Sequence, residues 1–184
     1  MKPVKQRRSI RLPDYDYAQD GAYYVTICTH ERRCIFGDVI NTEMILNTLG
    51  CIADEEWRQS EALRPYVELD AYVIMPNHIH GVVVINWGYE SNRTQHAASL
   101  QTPKGATRNN VQPQSLSAII RAFKAATTRR INAVLQTPGM PLWQGRFYEH
   151  IIRNEQSLNK IRAYIFSNPA QWEQDSQYPE NKAD

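Results

Sequence analysis

The sequence predicts an α+β fold in which helices pack on one face of a small antiparallel sheet. Segments rich in β-branched and aromatic residues alternate with amphipathic stretches in the order βαββαβα. Two of the β segments are joined only through Pro76-Asn77, too short a connection for a parallel crossover, so they must pair as an antiparallel hairpin. At 184 residues the chain suffices for one hydrophobic core and is short for two, so a single domain is expected.

After a basic arm at residues 1–20, residues 22–30 combine aromatic and β-branched side chains over the length of a strand. Asn41 is expected to cap a helix in which Met44, Ile45, Leu49, Ile52, Ala53 and Glu56 recur at helical spacing until about Gln59. Residues 67–75 read as a second strand, and Pro76-Asn77 turns it back into an apolar run at 79–85. Residues 87–114 are polar and without apolar period, an insertion that either closes over a ligand or is a plain loop. Ser115 caps a long helix with Leu116, Ile119, Ile120, Phe123, Ile131 and Val134 on one side and Arg121, Lys124, Arg129 and Arg130 over much of the rest. Residues 142–153 end in a β-branched run that gives a further strand. Asn154 caps the last helix, Leu158, Ile161 and Ile165 form its apolar stripe, and Pro169 stops it. Beyond Trp172 the chain turns polar, and residues 173–184 are expected to fray as a tail.

Composition narrows the function. With 42% hydrophobic and 22% charged residues the make-up is that of a soluble globular protein, and no apolar run nears the roughly 20 residues of a membrane span. The cationic start lacks the apolar run of a secretory leader, so a cytoplasmic location is expected. Cys28, Cys34 and Cys51 are odd in number and lack a Cys-x-x-Cys pair, which argues against a disulfide framework or a thiolate metal site and leaves them as buried or inert thiols. The net charge of +2 conceals a segregation. No Asp or Glu occurs from Ser91 to Tyr148, where Arg93, Lys104, Arg108, Arg121, Lys124, Arg129, Arg130 and Arg146 all lie. Lys2, Lys5, Arg7, Arg8 and Arg11 precede the first acid, Asp14. A field of one sign suggests a polyanionic partner, with a merely solvated charged face as the alternative.

The chemistry is concentrated at Met75-Pro76-Asn77-His78-Ile79-His80. In a strand His78 and His80 point to one side about 7 Å apart along the chain, a spacing at which two imidazoles can close on one metal ion. Ile79, Gly81, Val83 and Ile85 on the other side would seat the strand in a core and hold the pair rigid. Ordinary hydrogen-bonded histidines meet the same spacing, and it is the rest of the chain that favours a metal. On the last helix Tyr164 and Asn168 stand four residues apart, on one face beside the apolar stripe, where a tyrosine can meet solvent or a ligand.

His78-Ile79-His80 after Met-Pro-Asn, the segment from Trp143 to Arg153, and Tyr164-Ile-Phe-Ser-Asn-Pro169, in this order, resemble the single-tyrosine HUH transposases. Within them the chain looks most like the REP-associated tyrosine transposases and their relatives, from about Arg8 to Trp172. The resemblance implies a ferredoxin-like sheet, the HUH nuclease fold, over residues 21–172. It implies a divalent ion, Mg or Mn, held by His78 and His80, although two imidazoles by their softness suit Mn or Zn better than Mg. Asn168 falls where insertion-sequence relatives carry a glutamine that completes the metal shell, which makes it the third ligand. Tyr164 becomes the nucleophile that cuts hairpin-containing single-stranded DNA, leaving a 5′-phosphotyrosine and a free 3′-OH. Arg7, Arg8, Arg11, Lys124, Arg129, Arg130 and Arg146 are candidate phosphate contacts, His150 a DNA contact or a structural histidine, and Phe147 or Tyr148 could stack unpaired bases. A homodimer is compatible with all of this and could supply Tyr164 in trans. Two other readings remain. One is a DNA-binding regulator derived from such a transposase that no longer cuts. The other is a metal-dependent hydrolase using water, which would call for Asp or Glu ligands that the sequence does not place near the histidines.

Overall fold

A computed structural model describes residues 16–88 and 114–179. The arm carrying Arg7, Arg8 and Arg11, and most of the insertion expected at 87–114, lie outside the described residues. In chain order the elements are β1 (Gly21–Cys28), β2 (Gly37–Ile40), β3 (Glu43–Leu46), α1 (Thr48–Ala62), β4 (Val67–Met75), β5 (His78–Ile85), α2 (Leu116–Leu135), β6 (Tyr148–Ile152) and α3 (Glu155–Ser167). The main sheet has the order β4-β5-β1-β6 with every neighbouring pair antiparallel, and the Pro76-Asn77 hairpin joins β4 to β5 as expected. The α+β class and the antiparallel sheet are those the sequence predicts.

Alternation along the strands decides what each face packs against. Tyr23, Val25 and Ile27 of β1 and Ile79, Val83 and Ile85 of β5 form the main core with Trp57 of α1 and Leu116, Ile119, Ile120, Phe123 and Ile131 of α2. Gly81 sits on this face of β5, where a Cβ would come within 2.6 Å of the Trp57 ring, so only glycine lets the indole lie against the histidine strand. The other face is apolar over part of its area, with Ala71, Val82 and Ile152 buried, and Ile165 of α3 covers it with Leu158 and Ile161. A sheet apolar on both sides must be covered on both. Thus the helices do not all lie on one face as expected: α1 and α2 share one, and α3 covers the face that carries the histidines, because that face too has apolar area to bury.

Local chemistry departs from the sequence reading at three places. Asn41 caps no helix: with Thr42 it takes left-handed dihedrals, φ 51° and 66°, in the two-residue turn that joins β2 to β3. Asparagine tolerates that conformation, and the primed turn matches strand twist, so Met44 and Ile45 belong to β3 rather than to a first helical turn. The cap of α1 is Asn47, whose side-chain oxygen accepts from the Leu49 and Gly50 N–H groups at 2.9 and 3.0 Å. The strand expected over 142–153 shortens to β6. Trp143 leaves it to pack between Phe36 and Phe123 and to donate its indole N–H to Thr127 Oγ1 at 3.0 Å. Residues after Trp172, expected to fray, fold back as a 3₁₀ segment, Pro169–Gln174, followed by a strap. Trp172 packs on Tyr178 and His78, Arg32 donates to Ser176 O at 3.1 Å and Asn77 donates to Gln177 O at 2.8 Å.

Ser115 and Asn154 cap α2 and α3 as expected, each accepting from the backbone three residues on. Of the thiols expected to be buried or inert, none is fully buried. Cys34 and Cys51 are exposed, on a loop and on the solvent side of α1, and half-buried Cys28 donates to Gln177 Oε1 at 3.3 Å. Among the described residues no helix is long and apolar enough to cross a membrane.

Candidate active site

The Pro76-Asn77 turn starts β5 at His78, opposite Cys28 of β1 and Met75 of β4, and strand alternation puts His78 and His80 together on the α3 face. Asn77 is fully buried and its amide nitrogen donates to Arg32 O at 3.1 Å and Gln177 O at 2.8 Å. That commitment turns its carbonyl oxygen toward His78 Nδ1, 2.8 Å away. The proton of His78 must therefore reside on Nδ1, and Nε2 carries a lone pair. Among the described residues this buried Nε2 has no hydrogen-bond partner. Burial, and then the neighbouring His80, push the His78 pKa from 6.5 down to about 3, so the ring is neutral. His80 is oriented at its Nδ1 by the Tyr24 hydroxyl at 2.7 Å and Thr26 Oγ1 at 2.9 Å. Burial holds the Tyr24 phenol well above its ordinary pKa, so it remains a neutral hydroxyl.

The helix α3 brings the remaining groups. Arg162 grips Asp70 with two parallel hydrogen bonds, the Nε–Oδ1 one at 2.7 Å, at the point where the β4 register shifts between Leu69 and Tyr72. This pair and the Ile165 packing turn Tyr164 to the histidines: its hydroxyl lies 3.4 Å from His80 Nε2 and donates to Asp175 Oδ2 at 3.2 Å. Tyr164 remains 40% exposed, open to a ligand. Burial, and then the negative charge of Asp175, raise its pKa to about 12, so the phenol keeps its proton at neutral pH.

Asp175 is delivered by the strap and is 6% exposed. Its Oδ2 accepts from Asn168 Nδ2 at 2.7 Å and its Oδ1 from the Gln177 N–H at 2.6 Å. Burial opposes its ionisation, but His80, Asn168 and the Gln177 amide outweigh that and hold the carboxyl well below the ordinary range. Asn168, also buried, has spent its nitrogen on Asp175, and among the described residues its oxygen has no partner. One donor atom each from His78, His80 and Asp175 lie within 4.8 Å of one another. Ligands at about 2.1 Å from one ion stand roughly 3 to 4.3 Å apart, so a small closure would bring these three into one shell. A buried lone pair left unpaired costs about 1–3 kcal/mol, and two of them beside a carboxylate and a second imidazole suit a divalent cation. The donors thus fit a metal.

No protein-family model matches the chain. An uncharacterized protein of Haemophilus influenzae is 38% identical over 179 residues, which cover 95% of this chain and 94% of that protein. The two proteins belong to one family. Among solved structures, a REP-associated tyrosine transposase bound to a REP hairpin superposes with a TM-score of 0.56 at 20% identity, over 89% of this chain and 74% of that one. The chain has the fold of that transposase.

Within this REP-associated transposase fold, the residues singled out in the sequence divide. His78, His80, Tyr164 and Asn168 converge in one chain. His150 and Arg146 are exposed, His150 on β6 opposite Tyr24 and so on the same face. Lys124 and Arg130 are committed elsewhere. Lys124 donates to Gln144 O at 2.8 Å and Arg146 O at 3.1 Å, and burial lowers its pKa to about 8, so it clamps a loop instead of facing solvent. Arg130 pairs with Glu55 and Glu56 at 2.6 and 2.9 Å, tying α2 to α1. Sequence reasoning missed Asp175 and Asn77. For Asp175 the available sign was a pair of aromatics, Trp172 and Tyr178, in a tail otherwise too polar to pack.

Proposed function

We propose that the chain is a transposase-type enzyme that cuts and rejoins hairpin-containing single-stranded DNA through Tyr164. The observation that carries this is the convergence, within one chain, of a partly exposed tyrosine hydroxyl with two histidines and a carboxylate that together can hold a cation. His78 and His80 would be metal ligands, Asn168 would contribute its unpaired oxygen, and Asp175 adds the carboxylate the sequence did not place. Two nitrogens with two oxygens accommodate Mn or Mg, whose remaining positions suit phosphate and water. When bound, such an ion polarises a phosphodiester and fixes its orientation. The Tyr164 oxygen attacks phosphorus, the bond to the 3′ oxygen breaks, and a 5′-phosphotyrosine and a 3′-OH result. The phenol proton has an acceptor at hand in Asp175 Oδ2 at 3.2 Å, and the departing 3′ oxygen takes up a proton in turn; His80 Nε2, 3.4 Å away, is the nitrogen offered to the cation. Arg146 and His150 would meet the backbone, and the basic arm at residues 1–20 would add to them. The hairpin bound to the structural neighbour supports the same kind of partner here.

The carboxylate also favours a second reading, a metal-dependent hydrolase in which water attacks. Incubation with Mn or Mg and labelled hairpin DNA separates the two. A denaturant-stable protein–DNA adduct that disappears in Tyr164→Phe supports the tyrosine mechanism, whereas cleavage that survives the substitution supports the hydrolase. Tight binding without cleavage or adduct would leave a DNA-binding regulator.

A further inference from the structure

Helix α2 and the segment 136–145 that returns from it enclose an open groove of about 820 Å³. Its lining includes half-exposed Met140 with the largely buried Leu142 and Trp143 beside it, and its charge has one sign. Arg121 and Arg129 are exposed on α2 along it, about 12 Å apart by helical rise, and among the described residues no carboxylate lines it. One end of the groove, at Gln144, adjoins the strand pair that carries His78. The Gln144 N–H donates to Cys28 O at 3.0 Å, and Cys28 is the register partner of His78. Gly145 follows with open space where a Cβ would stand, then exposed Arg146, then Tyr148. The Tyr148 ring is 42% exposed and stands edge-on to Tyr24, 6.1 Å away, whose other neighbours are His80 and Tyr164. Lys124 sets the shape of this passage by holding the Gln144 and Arg146 carbonyls.

Unpaired bases need apolar walls, a phosphate backbone needs cations without competing carboxylates, and both must be continuous with the place where phosphorus is attacked. Duplex DNA would keep its bases stacked and could not use the walls. We propose that this groove holds the single-stranded segment flanking the hairpin, which passes over Gly145 and Tyr148 to reach Tyr164. The inference rests on the DNA-cleaving reading above.

Two fluorescent probes test it: a blunt hairpin and the same hairpin with a single-stranded flank of about ten nucleotides. Each is titrated by anisotropy with the wild type, with Arg121→Glu/Arg129→Glu and with Met140→Ser, after thermal melts show the variants folded. The charge-reversal variant should lose about tenfold or more on the flanked probe, with the salt slope reduced by about 1.4, and bind the blunt hairpin as the wild type does. Met140→Ser should weaken the flanked probe alone. Equal losses on both probes would place the duplex on this surface and overturn the proposal, as would unchanged binding of the flanked probe. A wild-type dimer that Met140→Ser dissociates would make the groove a contact between copies, and overturns it too. If no adduct forms with any probe while the flank-specific loss persists, the cleavage reading fails and the groove assignment stands.

Discussion

Asn77 controls the proton of His78, and through it the lone pair available to a cation. Replacing it with alanine releases the ring and leaves the Arg32 and Gln177 carbonyls without their donor. Isothermal titration of Asn77→Ala with Mn is expected to show affinity about 10- to 100-fold below wild type, the usual cost of losing a residue that orients a ligand. The same histidine makes the metal-free chain sensitive to acid. Its pKa is about 3 folded against 6.5 ordinarily, so between these values the unfolded chain takes up a proton at this ring and the folded one does not. Stability must then rise with pH across that window and level off above it. Asp175, held below its ordinary value, acts in the same sense at lower pH. Melting temperatures of the metal-free protein should fall steadily from about pH 6.5 to 4, and His78→Gln should flatten the slope. Strand and helix periods put both histidines and Tyr164 on known faces, and the resemblance to the HUH transposases singled Tyr164 out from the ten tyrosines. Asn77 was legible only as a turn former, since its bonds run to residues distant in sequence.

At the scale of elements, β5 works by having two dissimilar faces. Gly81 gives the Trp57 indole its place on the core side while His78 and His80 occupy the other. Gly81→Ala forces a Cβ into that ring and should cost about 1–3 kcal/mol in chemical denaturation, with metal affinity falling in parallel because the same strand carries the ligands. For α1, Asn47→Ala should cost about 1 kcal/mol and Asn41→Gly little or nothing, which distinguishes a helix cap at 47 from one at 41. The ambiguity between those positions has a physical origin. Met44 and Ile45 fit the first turn of a helix and one short strand equally well, and the choice fell to the tolerance of Asn41 and Thr42 for left-handed dihedrals. Where the apolar stripe was long and the cap unopposed, as at Ser115 and Asn154, the helix was readable to its first residue.

Across the whole molecule, α3, β5 and the strap meet at one point, and all belong to the same chain. A mixture of His78→Ala and Tyr164→Phe proteins should therefore give no DNA adduct. Adduct recovered on mixing would mean that the tyrosine acts across a dimer. The strap is the other global dependence. A chain ending at Trp172 loses Asp175 and the Gln177 anchor, and should bind Mn at least about tenfold more weakly by titration, with a lower melting temperature.

The sequence by itself determined the antiparallel hairpin, the helices with strong caps, the placement of the histidine pair on one strand face and the tyrosine beside the apolar stripe of the last helix. These follow from periods and turn chemistry that operate over a few residues. Tertiary structure alone decided that α3 covers the histidine face, that Lys124 and Arg130 are spent on a loop and on α1, and that Asp175 enters the site. Each of those depends on groups distant along the chain meeting in space. Asp175 is the plainest case: polarity alone assigns it to solvent, whereas the Trp172 and Tyr178 packing and the Asn77 bond hold the strap in place, and Asn168, the Gln177 amide and the neighbouring imidazoles make burial of its charge favourable.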